Sequence, residues 1–177
     1  MKKLIIVALT ALCVSTYAQV FNTAGTLKQG TFMLGLEPTY FIDPNGFKMF
    51  FHGGYGIKKG IDFSLHAGLG GQSYFGGDIE WALLKHVSLT TGAHYFGVMG
   101  LDGMLNLTFP IRKDSRIYTG FDMDINFPRN EDVKAPMWIP LGVEIGIRHD
   151  IAFLFEAEIG LNDTYSLIGG GLVFYFR

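Results

Sequence analysis

The stretch IAFLFEAEIGL, residues 151–161, decides the fold. Ile151, Phe153, Phe155, Ala157 and Ile159 fall on one parity, while Ala152, Leu154, Glu156, Glu158 and Gly160 fall on the other. A period of two places successive side chains on opposite faces of extended backbone. This segment therefore reads as a strand with one apolar face and one acidic, glycine-bearing face. Working outward, IDFSLHAGL (61–69) and SRIYTGFDMDINF (115–127) repeat the pattern. Ten such segments occur, near 31–42, 47–58, 61–70, 74–84, 86–97, 101–112, 115–127, 137–148, 150–161 and 165–177. No helical spacing fits any of them as well.

The connections alternate as regularly as the strands. Tight charged turns at IKKGID, LLKHVS, IRKDSR and IRHDIA interleave with the longer or more glycine-rich links DPNG, GLGGQS, FGVMGLDG, PRNEDVKAPM and LNDTYS. Short turns at one end and longer loops at the other are the plan of an up-and-down barrel that crosses a membrane. The segment lengths sit close to the roughly 9–11 residues that a tilted strand needs to span a bilayer.

Periodicity alone does not say which face points outward, because a soluble ligand-binding barrel also alternates. Volume decides. The apolar face carries about five bulky residues per strand, too many for the interior of a barrel of this size. The opposite face is rich in glycine, including Gly35, Gly54, Gly68, Gly92, Gly120, Gly142, Gly169 and Gly171, which suits a crowded concave lumen. Lipid is therefore expected on the apolar side. Tyr40, Phe47 and Tyr95 near one rim, with Tyr55, Phe63, Trp81, Phe109 and Phe153 nearer the other, outline two aromatic girdles at headgroup depth.

The first residues, MKKLIIVALTALCVSTYA, read as a secretory signal (1–18), with Lys2 and Lys3 ahead of a short apolar run and Ala18 at the cleavage point. Residues 19–177 then form a single domain. Cys13, the one cysteine, falls inside the signal, so the mature chain has neither disulfide nor thiol chemistry. Without Lys2 and Lys3 the 14 basic residues become 12 against 16 acidic, a formal charge of −4. With no basic stripe, nucleic acid is a poor partner.

The C-terminal octet GGLVFYFR resembles the assembly signal of Gram-negative outer-membrane β-barrel proteins: a glycine, two residues, an aromatic, one residue, an aromatic. Here these are Gly171, Phe174 and Phe176. Gly169 stands where that signal usually carries a polar residue, and Arg177 follows the last aromatic. The resemblance implies a small porin-like barrel in the cell outer membrane, wetted by lipid and inserted by the barrel-assembly machinery. The fold expected is all-β, a transmembrane antiparallel up-and-down barrel of ten strands. Eight is the alternative, if the glycine-rich 68–77 stretch merges into its neighbours or the first strand is demoted.

With lipid outside, ten acids point inward: Glu37, Asp62, Asp78, Glu80, Asp102, Asp122, Asp124, Glu144, Glu156 and Glu158. Lys48, Lys58 and Arg148 are the cations expected to oppose them. Rings of acid favour cations, so Glu37, His52, His66, Asp78, Glu80, Asp122, Asp124, Glu144, Glu156 and Glu158 are the candidate lumen and selectivity residues. His52 and His66 lie nearly symmetric about the Lys59 turn and are expected to face each other across strands. With Asp78 or Glu80 they compose one conceivable metal set. The competing reading is a hydrogen-bonded network that fills the bore, with no cofactor. Barrel enzymes carry Ser/His or Asp/His groups near a rim. His94 and Asp102 are the best rim pair here, yet nothing marks a nucleophile. The expected role is structural or a narrow path for small cations. A membrane-embedded lipid-modifying enzyme or a surface-binding barrel is the alternative.

Overall fold

The computed structural model describes residues 25–162 and 164–177; the expected signal segment, 1–18, lies outside the described residues. Ten strands form one closed antiparallel barrel: β1 (Phe32–Phe41), β2 (Gly46–Lys58), β3 (Ile61–Leu69), β4 (Tyr74–Leu84), β5 (Val87–Tyr95), β6 (Met99–Pro110), β7 (Ser115–Phe127), β8 (Met137–Arg148), β9 (Ile151–Leu161) and β10 (Leu167–Phe176). Each strand pairs with its sequence neighbours, and β1 closes the ring on β10 from Phe32↔Phe176 to Phe41↔Leu167. Closure leaves no sheet edge, which an apolar solvent requires because it offers backbone groups no partner. At that seam a Cβ on Gly171 would run into the backbone of Leu36 and Glu37, so the glycine lets the first and last strands meet.

The eight-strand alternative does not hold. Residues 70–73 remain a loop between β3 and β4, both of which pair along their length. β6 starts two residues before its expected position of 101, because the tight 96–98 link, with Gly97 at positive φ, lets Met99 pair with Tyr95. β10 starts later than expected, since Tyr165 packs into the barrel mouth instead of joining the ladder.

The barrel is apolar outside and polar within. Every strand presents large apolar side chains to the exterior, among them Leu36, Leu65, Leu101, Leu141, Phe155 and Leu172. Tyr40, Phe47, Tyr95, Tyr55, Phe63, Phe109 and Phe153 are also exposed. Such a surface is stable in hydrocarbon and not in water, so the barrel is of the membrane-spanning kind. All ten inward acids are buried.

The lumen is also stoppered at both ends by apolar side chains. At the long-loop end Tyr165 meets Phe41 edge to face and Trp138 at a tilt, with ring centroids 5.4–5.5 Å apart, and Phe50, Tyr74 and Phe96 form a second wedge beside them. At the short-turn end Met33, Leu154 and Val173 are buried, and the segment 25–31 folds into the mouth. There the Leu27 N–H donates to the Asp62 carboxylate, and Gly30 and Thr31 pair with the backbone of Gly56.

Candidate functional site

Strand registers bring the inward polar residues into three groups. In the first, His52 is the direct cross-strand partner of His66, with β1 and β4 flanking them. The Glu37 carboxylate lies 3.1 Å from His52 Nε2, the two Nδ1 atoms are 2.7 Å apart, and His66 Nε2 lies 2.6 Å from Asp78 Oδ2. Three hydrogen bonds need three protons shared among two carboxylates and two imidazoles. That count leaves the four groups with one net negative charge, whichever atoms hold the protons. The chain runs circumferentially across four strands and cross-braces them.

The second group sits on β5, β6 and β7. His94 Nδ1 contacts the Asp102 carboxylate, and its Nε2 lies 3.0 Å from Asn126 Oδ1. Asp124 stands opposite Asp102 in the register. Gly100 supplies the space in which the imidazole and the Asn126 amide meet, since a Cβ there would fall within 2.5 Å of Asn126 Oδ1. Tyr74 stacks on His94 at 5.5 Å and crosses Phe50, which stacks on His52 at 6.0 Å. One aromatic wedge thus separates and supports the two histidine groups.

The third group lies toward the short-turn mouth. The Arg116 guanidinium donates twice to Glu144, through Nε at 3.0 Å and Nη2 at 2.7 Å, and Tyr175 donates to the same carboxylate at 3.4 Å. A cavity of about 430 Å³ opens beside it, lined by Lys28, Arg112, Lys113, Arg148 and Arg177. The acid-rich interior is therefore capped by a basic vestibule.

Several sequence expectations need adjustment. Glu80 is buried but stands across from Asp62 rather than beside the histidine pair, so it does not complete a set with His52 and His66. Asp122, Glu156 and Glu158 are buried from β7 and β9 between the three groups. Lys58 and Arg148 are exposed, because bulges at Gly56/Lys58 and Gly146/Arg148 insert a residue and break the inward parity. The inward cations are Lys48, which donates to the Gln72 carbonyl at 2.6 Å and lies 4.0 Å over the Phe96 ring, and Arg116. Arg116 escaped the sequence reading although it shares parity with Tyr118 and Asp122; following that parity back to the turn would have found it. Asn126, which holds His94, was missed because one polar residue at a strand end carries no signal of its own.

No protein-family model matches this chain, and no curated protein matches it in sequence. Solved structures do. The chain is similar to the NanC porin, with 10% identity, a TM-score of 0.56 and coverage of 80% of this chain and 98% of that one. The N-terminal β-barrel domain of Pseudomonas aeruginosa OprF is 16% identical over 85% of this chain and 100% of that domain, with a TM-score of 0.41. A de novo designed barrel, TMB2.3, is 10% identical over 85% of this chain and 97% of the design, with a TM-score of 0.49. At such identities the likeness to NanC is one of fold.

Proposed function

We propose that this protein is a small, non-enzymatic barrel of the outer membrane, closed to solutes by its own lumen. Residues 1–18 direct export, Gly171, Phe174 and Phe176 address the chain to the barrel-assembly machinery, and the apolar exterior is wetted by lipid. One observation carries the reading of a closed barrel. The inward acids from Glu37 to Glu158 are at most 8% exposed, while side chains stopper both mouths. A water-filled bore would leave those carboxylates accessible. The basic vestibule argues the same way, because its lining carries six lysine and arginine side chains against Asp114 and Glu144, an excess of positive charge that disfavours entry of a cation.

The second reading, a narrow path for small cations, is favoured by ten buried acids against Lys48 and Arg116. Planar bilayers separate the two. The closed barrel gives no unitary conductance steps in potassium chloride, and steady open-channel steps from the wild-type protein would overturn it. Under a salt gradient, a cation-selective reversal potential for such steps would establish the second reading in its place.

A further inference from the structure

We propose that His94, Asp102 and Asp124 hold one divalent transition-metal ion of the zinc class in the loop-end half of the lumen. The three side chains converge from adjacent strands, and one donor atom from each lies within 4.8 Å of the others. Bonds of about 2.0–2.2 Å to one ion allow donors at most about 4.4 Å apart, so the widest pair closes by a few tenths of an ångström while His94 Nδ1 and Asp102 open from hydrogen-bond contact to admit the ion.

The carboxylates of this group are short of positive charge and of hydrogen-bond donors. His94 Nε2 lies 3.0 Å from Asn126 Oδ1 and its Nδ1 contacts the Asp102 carboxylate, so a proton held on Nε2 by Asn126 leaves Nδ1 to ligate an ion. Without an ion a proton bridges Nδ1 and Asp102, and an ion bound by both takes that proton's place. Asp124 supplies the independent observation. It is fully buried, it faces Asp102 across the β6–β7 ladder, and neither of its carboxylate oxygens has a hydrogen-bond donor. Asp102 Oδ2 lacks one as well. Two carboxylates and a neutral imidazole in a dry pocket are neutralised by one doubly charged ion. Among the described residues the inward cations are held elsewhere, Lys48 by Gln72 and Phe96 and Arg116 by Glu144.

The ligand set indicates the class of ion. An imidazole nitrogen beside carboxylate oxygens suits zinc and its neighbours, whereas magnesium and calcium favour oxygen alone. The Asn126 carbonyl oxygen on the far ring nitrogen is the outer support that orients a ligating histidine. Tyr74 stacked on the ring and Phe96 beside it exclude water. Because the ligands are buried, the ion is taken up as the barrel folds and is not stripped by chelator afterwards.

The test folds the full mature chain into detergent micelles with Zn2+, removes free metal by gel filtration with a chelator, and measures zinc by elemental analysis. The expected result is about one ion per chain, falling at least about tenfold in occupancy for His94→Ala and Asp124→Asn. Glu37→Gln, buried in the other histidine group, keeps the wild-type content. Gel mobility of unheated samples verifies that each variant is folded. Folded wild type without zinc, or the same zinc content in both variants, overturns the proposal. If Asp124→Asn does not fold, Co2+ loading of the wild type decides. Visible d–d absorption after folding with Co2+, lost when excess Zn2+ is present during folding, supports the site, and its absence refutes it.

Discussion

Replacing Trp138 tests most directly whether the long-loop mouth is a packed stopper. The indole has no solvent exposure, its Nε1–H donates to the Tyr165 carbonyl at 2.9 Å, and its ring lies 5.4 Å from Tyr165, which in turn braces Phe41 at 5.5 Å. Trp138→Ala removes the ring and leaves a void that Tyr165 cannot fill without abandoning Phe41. A substitution of this type costs about 3–5 kcal/mol. Trp138→Phe retains most of the volume and chiefly orphans the Tyr165 carbonyl, which costs about 1–3 kcal/mol. The assay is urea unfolding of the barrel in lipid vesicles, followed by the fluorescence of Trp81, the other tryptophan. Trp138→Ala should shift the midpoint with an unchanged slope, and Trp138→Phe should shift it about half as far. A midpoint for Trp138→Ala within about 1 kcal/mol of wild type would mean that the mouth is loosely filled, below any cavity cost expected of a packed core. The long-loop mouth would then not be a closed stopper.

Two further substitutions probe the interior network and the exterior face. Asp78→Ala leaves His66 without its 2.6 Å partner in a site where both side chains are 2% exposed, so unfolding should become easier by about 3–5 kcal/mol. Asp78→Asn, which keeps an acceptor, should cost distinctly less in the same urea titration; equal losses would show that the hydrogen bond carries nothing. Outside, Leu36→Arg puts a charge at mid-strand on the lipid face and should destabilise the vesicle-folded barrel by about 2–4 kcal/mol, while Phe47→Arg at the rim should cost about 0–1 kcal/mol. If the two variants unfold at the same urea concentration, hydrocarbon does not wet the middle of β1.

The sequence alone determined the alternation of short turns and long loops and which face meets lipid, and it put the strand number at ten with eight as the alternative. All three follow from a period of two combined with side-chain volume, properties carried along the chain and independent of which strands become neighbours. The mutual approach of His52 and His66 was legible for the same reason: a two-residue turn fixes register on either side of it. Tertiary structure alone decided which inward groups meet. Glu80 opposing Asp62, Arg116 reaching Glu144, and His94 joining Asp102 and Asp124 depend on the register of several successive strand pairs, and a single bulge, as at Gly56/Lys58, reverses parity without marking the composition. The apolar stoppers escaped sequence reading for a related reason. Phe41, Phe50, Tyr74 and Trp138 look like any other bulky residue, and only closure of the ring turns them toward one another in the mouth.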